Sequence, residues 1–172
     1  MKKTFFTLML ILASVVTINA QSLTGKTWIA DLSEDGDKTI ANLTFNDDGS
    51  MTMKLDVSSV EDAGGMQMII LVDANVPGTY TLDGDKLSIN FDAKKADMKC
   101  DVDLKGLDDA TKAMYKGMIL GEINKQKASL LDEILGSLPF SKSPIMVKSI
   151  TATALNLEIE GQAFELKAVN DK

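Results

Sequence analysis

Residues 78–92 read GTYTLDGDKLSINFD and predict a β-hairpin that turns at Asp83-Gly84. Apolar and polar side chains alternate on both sides of that turn, and alternation of period 2 is typical of a strand with one buried face. Asp-Gly accepts the positive φ angles that a tight turn needs. The pattern therefore places five side chains on one apolar face: Tyr80, Leu82, Leu87, Ile89 and Phe91.

The same alternation recurs along most of the chain. Further strands are predicted at 26–32, 39–45, 51–57, 66–72, 96–104, 145–153, 155–159 and 164–168. Pro77 is expected to end the strand at 66–72 because proline cannot donate a hydrogen bond to a neighbouring strand. So many short strands with local turns are expected to curl and close. The predicted fold is mostly β, an antiparallel up-and-down barrel of about 8–10 strands.

Residues 107–138 interrupt the strands with a helical insert before the last strands. Asp108 is a suitable N-cap, and Gly117 and Gly121 lower the helical propensity, so two helices with a break near Gly121 are predicted. Apolar side chains form two stripes at helical spacing: Ala110, Met114 and Met118, then Ile123, Leu130, Leu131, Ile134, Leu135 and Leu138. We expect both stripes to bury against a barrel end, where the insert is either a fixed plug or a mobile lid.

Residues 1–20 have the pattern of a secretory signal peptide, with Lys2 and Lys3, an apolar run and a small residue, Ala20, before the predicted cleavage site. We therefore expect export to the periplasm or the medium. The residue directly after that site is Gln21 and not a cysteine, so a lipid anchor is not expected. Residues 21–172 form one expected domain, and no later apolar run is long enough to predict an integral membrane span.

Composition limits the classes of partner and of chemistry. The chain has 18 lysines, no arginine, no histidine and 25 acidic residues, and removal of the signal would leave a net charge of −9. Such a surface repels phosphate backbones, so nucleic acid is not an expected partner. Without histidine or arginine the chain has no Ser-His-Asp triad, no histidine-bound zinc and no guanidinium clamp. No catalytic residue, metal or cofactor is predicted.

Acidic residues in turns leave one enzymatic alternative open. Asp47, Asp48, Asp83 and Asp85 could supply the two carboxylates of a hydrolase, but aspartates that hydrogen-bond their own backbone in turns explain them better. The single cysteine, Cys100, is expected to be a small buried hydrophobe.

Three segments carry a resemblance to a known family: LTGKTW at 23–28, FNDDG at 45–49 and GTYTLDGDKLSI at 78–89. They resemble the lipocalin-like domains of exported Bacteroidetes proteins, which implies a lipocalin or calycin-type β-barrel. Two features depart from the lipocalin pattern. The chain has Gly25-x-x-Trp28 where lipocalins have Gly-x-Trp, and no arginine is present to pack over that tryptophan.

The first functional hypothesis is a monomeric, exported, lipocalin-like protein that binds a small hydrophobic ligand such as a lipid inside the barrel. Its candidate ligand-binding residues are Trp28, Phe45, Met53, Leu55, Tyr80, Leu82, Ile89, Phe91, Met114, Met118 and Phe164. The abundant methionines fit either the wall of an adaptable pocket or an ordinary core. The alternative is a ligand-free interaction module at the cell envelope that binds a protein or surface partner. A cavity inside the barrel would distinguish the two.

Overall fold

A computed structural model describes residues 22–34, 36–63, 65–142 and 144–169, so the predicted signal at 1–20 lies outside the described residues. The described part contains nine strands and two α-helices. The strands are β1 Thr27–Asp31, β2 Lys38–Phe45, β3 Ser50–Ala63, β4 Met66–Asp83, β5 Lys86–Phe91, β6 Asp97–Lys105, β7 Ile145–Ile150, β8 Ala154–Ile159 and β9 Gln162–Val169. The helices are α1 Asp109–Lys125 and α2 Lys127–Ser137, and single 3₁₀ turns lie at Ala93–Lys95 and Pro139–Ser141.

Eight of the strands close into an antiparallel up-and-down barrel, which confirms the predicted fold. β1 to β5 pair in sequence order, β5 pairs with β7, β7 to β9 continue, and β9 returns to β1. β6 stands outside this ring and pairs along the first half of β4. The helical insert lies between β6 and β7, as predicted.

The hairpin at 78–92 is formed by the end of β4 and the whole of β5. Tyr80 pairs with Ile89 and Leu82 with Leu87, so the five side chains share one face as predicted. The expectation that Leu82 belongs to a core or cavity is wrong, because this residue at the end of the hairpin is 39% exposed. The turn lies one residue later than predicted, because Asp83 pairs with Lys86 and leaves Gly84-Asp85 as the two-residue loop. Gly84 has a φ of +61°, which suits glycine at the first position of such a loop.

The prediction that Pro77 ends a strand is wrong. β4 continues through it for 18 residues, so the two strands predicted at 66–72 and in the hairpin are one. β4 pairs with β6 up to Asn75 and with β5 from Gly78, on the same edge. Pro77 falls in the interval between these two partners, where a backbone N–H is not needed for pairing.

The barrel has one closed end and one mouth. At the closed end Leu23 is buried beneath the strands, and the indole Nε1 of Trp28 donates to the Leu23 carbonyl at 2.8 Å. The mouth lies at the other end, where the β1–β2 connection, the β8–β9 turn and the chain that enters β7 meet. The interior between the two ends is lined by the inward-facing residues of all eight barrel strands.

Asp108 caps α1 as predicted, accepting hydrogen bonds from the backbone N–H groups of Ala110 and Thr111. The predicted helix break near Gly121 is wrong, since α1 continues to Lys125 and the chain leaves helical geometry at Gln126. Glycine lowers helix propensity without requiring a break, and here the direction changes where α1 ends beside β6 and α2 begins to pack on the barrel.

The two predicted apolar stripes have different outcomes. α2 buries Leu131 and Leu135, whereas α1 has no buried residue among those described. Met114 and Met118 are 57% and 62% exposed, so the expectation that the first stripe buries against the barrel is wrong. Neither helix is long and apolar enough to cross a bilayer, a statement that covers the described residues only.

α2 and the following 3₁₀ turn complete the barrel wall. β5 and β7 share only two residue pairs, Lys86 with Met146 and Leu87 with Ile145. The rest of the boundary between these two strands has no backbone pairing. Four buried apolar side chains of the insert belong to the barrel core in this region: Leu131, Leu135, Leu138 and Phe140. The insert is therefore part of the wall as well as a cover.

Candidate functional site at the barrel mouth

The deep half of the barrel is filled by its own side chains. Trp28, Leu43, Met53, Leu55 and Leu155 all have 0% exposure. A side chain with no accessible area touches no space large enough for a water molecule, enclosed or open. Among the described residues, this region has the close packing of an ordinary protein core.

The predicted ligand-binding residues lie in four places in the structure. Four line the filled interior: Trp28, Phe45, Met53 and Leu55. Four lie on the β4–β5 hairpin: Tyr80, Leu82, Ile89 and Phe91. Met114 and Met118 lie on the exposed side of α1, and Phe164 lies at the mouth.

Tyr80, from the hairpin group, lies towards the closed end. The Phe45 and Tyr80 rings meet edge to face with centroids 4.9 Å apart, and the Tyr80 hydroxyl donates to the Asn46 carbonyl at 2.8 Å. The pKa of Tyr80 is raised, mainly by burial and to a smaller extent by the nearby carboxylates of Asp47 and Asp48. These contacts support the closed end of the fold and do not reach the mouth.

A cavity of about 400 Å³ opens at the mouth. We call it the mouth cavity. Three separate parts of the chain line it: Leu32, Glu34 and Thr39 from the β1–β2 connection, Ser137, Leu138, Pro139 and Lys142 from the end of the insert, and Ile159, Glu160, Gln162 and Phe164 from β8 and β9. Pockets of small-molecule ligands commonly have volumes of roughly 300 to 1,000 Å³.

No protein-family model matches the chain, and no curated protein matches its sequence at a significant level. The closed eight-stranded antiparallel barrel is consistent with a lipocalin-like architecture.

The floor of the mouth cavity contains buried apolar side chains. Leu138 and Ile159 are buried, and Phe140 lies among the core residues with its ring 6.5 Å from that of Phe164. The tilt of 59° between the two rings suits an edge-on aromatic contact. The apolar surface that a molecule from solvent can touch therefore comes mainly from the partly exposed lining residues Leu32, Pro139 and Phe164.

The rim of the cavity is charged. The Lys142 Nζ lies 3.2 Å from the Glu160 Oε2 across the gap between the insert and the β8–β9 turn. Glu34 stands on the β1–β2 side, where its backbone forms both hydrogen bonds of a bridge with Asp37. The arrangement combines an apolar floor with two carboxylates and one ammonium group.

Sequence reasoning found Phe164 but missed the rest of this lining. Leu32 and Leu138 were identified as apolar positions at the ends of predicted elements, yet nothing in the pattern showed that these ends would meet. Lys142 and Glu160 are 18 residues apart, and no motif in the sequence links them. Only the closure of the barrel brings the three segments together.

One of the four turn carboxylates considered for a hydrolase, Asp48, is used in local structure. Asp48 accepts hydrogen bonds from the Ser50 hydroxyl at 2.6 Å and the Ser50 backbone N–H at 2.9 Å, and these bonds hold the pKa of Asp48 below its usual value. Asp31 accepts equivalent bonds from Ser33, with the same effect on its pKa. Cys100 is partly buried, and that burial raises the pKa of its thiol, so its thiolate is disfavoured.

A second concavity lies on the outside of the barrel. This outer groove of about 320 Å³ runs over β2, β3, β4 and β6, with Leu71, 40% exposed, among its lining residues. Asp56, Asp73 and Lys99 surround it. Lys54 lies 4.0 Å from the carboxylate of Asp56 and 3.8 Å from that of Asp73, so part of the acidic charge beside the groove is balanced.

Proposed function

We propose that the protein binds a small molecule with an apolar body in the mouth cavity, and that it binds this molecule without transforming it. The observation that carries the proposal is the 400 Å³ cavity at the open end of a closed barrel. Its accessible apolar residues, Leu32, Pro139 and Phe164, provide apolar contact, and its polar rim provides orientation.

The filled interior determines where such a ligand would be held. A molecule that entered the deep half would have to displace fully buried side chains such as Leu43 and Leu55. Displacing packed side chains costs several kcal/mol, whereas the mouth cavity is already open to solvent. A small hydrophobic ligand therefore binds at the mouth of the barrel and not at its centre.

Export is part of the same proposal. The pattern of residues 1–20 supports cleavage after Ala20 and a periplasmic or secreted location. N-terminal sequencing of the protein purified from its own host tests this point. A mature chain that begins at Gln21 is expected, and an intact Met1 would contradict it.

The binding test uses two neighbouring positions on β9. Gln162 lines the mouth cavity, whereas Ala163 follows it on the opposite face of the strand and is exposed. In a titration with the neutral fluorescent dye Nile red, Gln162→Trp should fill the cavity and reduce affinity at least tenfold. Ala163→Trp adds the same ring outside the cavity and should leave affinity within twofold. Equal effects of the two variants, or no saturable binding to the unmodified protein, would overturn the proposal.

The outer groove favours a second candidate, an interaction module that binds a surface partner. Leu71 leaves apolar area uncovered on the outside of a filled barrel, which suits contact with a partner. If this is the function, Leu71→Glu should abolish co-purification with a specific envelope component from the host, while Met118→Glu, on α1, should not. Retention of the same component by Leu71→Glu would remove this candidate.

A further inference from the structure

We infer that the ligand of the mouth cavity carries a cationic amine beside its apolar body. This inference rests on the proposed function and names the chemical class that the same cavity selects. The backbone of Glu160, the charges on the rim and the apolar residues of the lining support it.

Glu160 occupies an unfavourable backbone conformation. Its φ is +52°, and among the described residues it is the one non-glycine residue with a positive φ. Ile159 pairs with Gln162, so Glu160 and Gly161, with a φ of +81°, are the two central residues of a tight hairpin turn. Asn, Asp and Gly are favoured at such positions, and glutamate has no short side chain to stabilise the left-handed conformation.

The ion pair of Glu160 with Lys142 does not by itself offset the free-energy cost of the left-handed backbone conformation of Glu160. Both side chains are about half exposed or more, and exposed ion pairs contribute little to stability because solvent screens them. A strained residue at a cavity rim is a reason to consider a role in binding. Glu160, from the β8–β9 turn, and Glu34, from the β1–β2 connection, both line the mouth cavity.

The rim charges favour a cation. Two carboxylates and one ammonium group line the cavity, and none of the ion pairs between described residues involves Glu34. The full chain has a net charge of −7, so the field of the whole molecule also attracts cations and repels anions. An amine beside these carboxylates would leave its apolar body against Leu32, Pro139 and Phe164.

The test compares three ligands with the same chain, octylamine, octanol and octanoate, as competitors of Nile red. Octylamine is expected to displace the dye at a concentration at least tenfold lower than octanoate, with octanol between them. The difference should shrink as salt is raised, because screening weakens the interaction between exposed charges.

Glu160→Asn is the informative variant, since asparagine suits the turn but carries no charge. It should raise the melting temperature and reduce the preference for octylamine over octanoate to threefold or less. Glu165→Asn, an exposed change on β9 away from the cavity, should leave that preference within twofold of the original. A purely structural role for Glu160 would change the melting temperature without changing the preference.

The outcomes separate this inference from the proposed function. If Nile red binding is blocked by Gln162→Trp and octanoate competes as well as octylamine, the cavity is a binding site without charge selection and only this inference fails. A preference that survives in Glu160→Asn combined with Glu34→Gln would also overturn it. If Gln162→Trp has no effect on the dye, both the inference and the proposed function fail.

Discussion

At the scale of single residues, the face of the strand on which a side chain lies decides its role. Leu87 is fully buried while its neighbour Ser88 is exposed, as period 2 predicts. At a second group of positions, a close neighbouring backbone decides which residue type fits. A Cβ atom added at Gly78 would lie 2.6 Å from the Asn90 carbonyl oxygen and 3.0 Å from the Met51 sulfur, so only glycine fits there.

Leu87→Asp is expected to unfold the protein, because an unpaired carboxylate in the core costs several kcal/mol out of a typical stability of about 5–15 kcal/mol. Ser88→Asp places the same group in solvent and should change the free energy of unfolding by less than about 0.5 kcal/mol. Circular dichroism and urea denaturation measure both. Similar midpoints for the two variants would show that the strand faces are wrongly assigned.

Gly78→Ala is expected to destabilise the fold by about 2 kcal/mol, because the added methyl group overlaps the Asn90 carbonyl. The matched change Gly117→Ala should stabilise it by about 0.5–1 kcal/mol, since a Cβ there meets nothing within 4 Å and alanine is the better helix former. Urea denaturation gives both values. A stabilising Gly78→Ala would contradict the close approach of β4 and β5.

At the scale of elements, the two helices of the insert differ in how they are held. α2 contributes buried Leu131 and Leu135 to the barrel wall, whereas α1 lies beside β6 and is joined to it by the ion pair between the Lys116 Nζ and the Asp101 carboxylate at 2.6 Å. Exposed ion pairs add little stability, and apolar burial adds most of it. The insert is therefore two elements with different stabilities.

Hydrogen exchange should show this difference. Amides of Met114 to Lys125 are expected to open first, those of Leu130 to Leu135 next, and those of β3 and β5 last, because local stability follows buried apolar contact. Mass spectrometry of peptides from a time course measures the order. Addition of octylamine should raise protection in α2, whose end lines the mouth cavity, more than in α1. Equal protection of both helices in the free protein would contradict this division.

At the scale of the whole molecule, the barrel closes through a seam of unequal strength. β8 and β9 pair over six residues, while β5 and β7 pair over two, and the insert fills the remainder.

Surface charge is a second property of the whole molecule. Several carboxylates have pKa values below their usual range in the folded state. The hydroxyl of Ser33 and that of Ser50, and the ammonium of Lys116, lower the pKa values of Asp31, Asp48 and Asp101 respectively.

These lowered pKa values predict acid sensitivity with a definite sign. The unfolded carboxylates titrate near 3.8, so the stability that these groups contribute is complete above that pH and is lost as pH falls through the lower folded values. Urea midpoints should be similar at about pH 7 and pH 5.5 and lower at about pH 3. Ser50→Ala should reduce the decrease in urea midpoint towards pH 3, because it removes the hydroxyl that donates to Asp48. A midpoint that rises towards pH 3 would contradict the prediction.

The sequence by itself predicted the features that depend on local chemistry and on period 2. The alternation in β2, β3 and β5, the glycine turns and the Asp108 cap were all readable, because each is determined by residues within a few positions of one another. The closed antiparallel barrel followed from the number of such strands. The prediction for Pro77 failed because its outcome depends on which strands lie beside β4.

The tertiary structure decided which apolar stripe of the insert is buried, how full the barrel is and where its cavity lies. Met114 and Leu135 both fit a helical stripe, yet one is exposed and the other buried, because packing partners come from distant segments. The mouth cavity joins Leu32, Lys142 and Phe164 across more than 130 residues of chain. No local pattern contains such a site, since it exists only after barrel closure brings three strand ends and the insert to the same place.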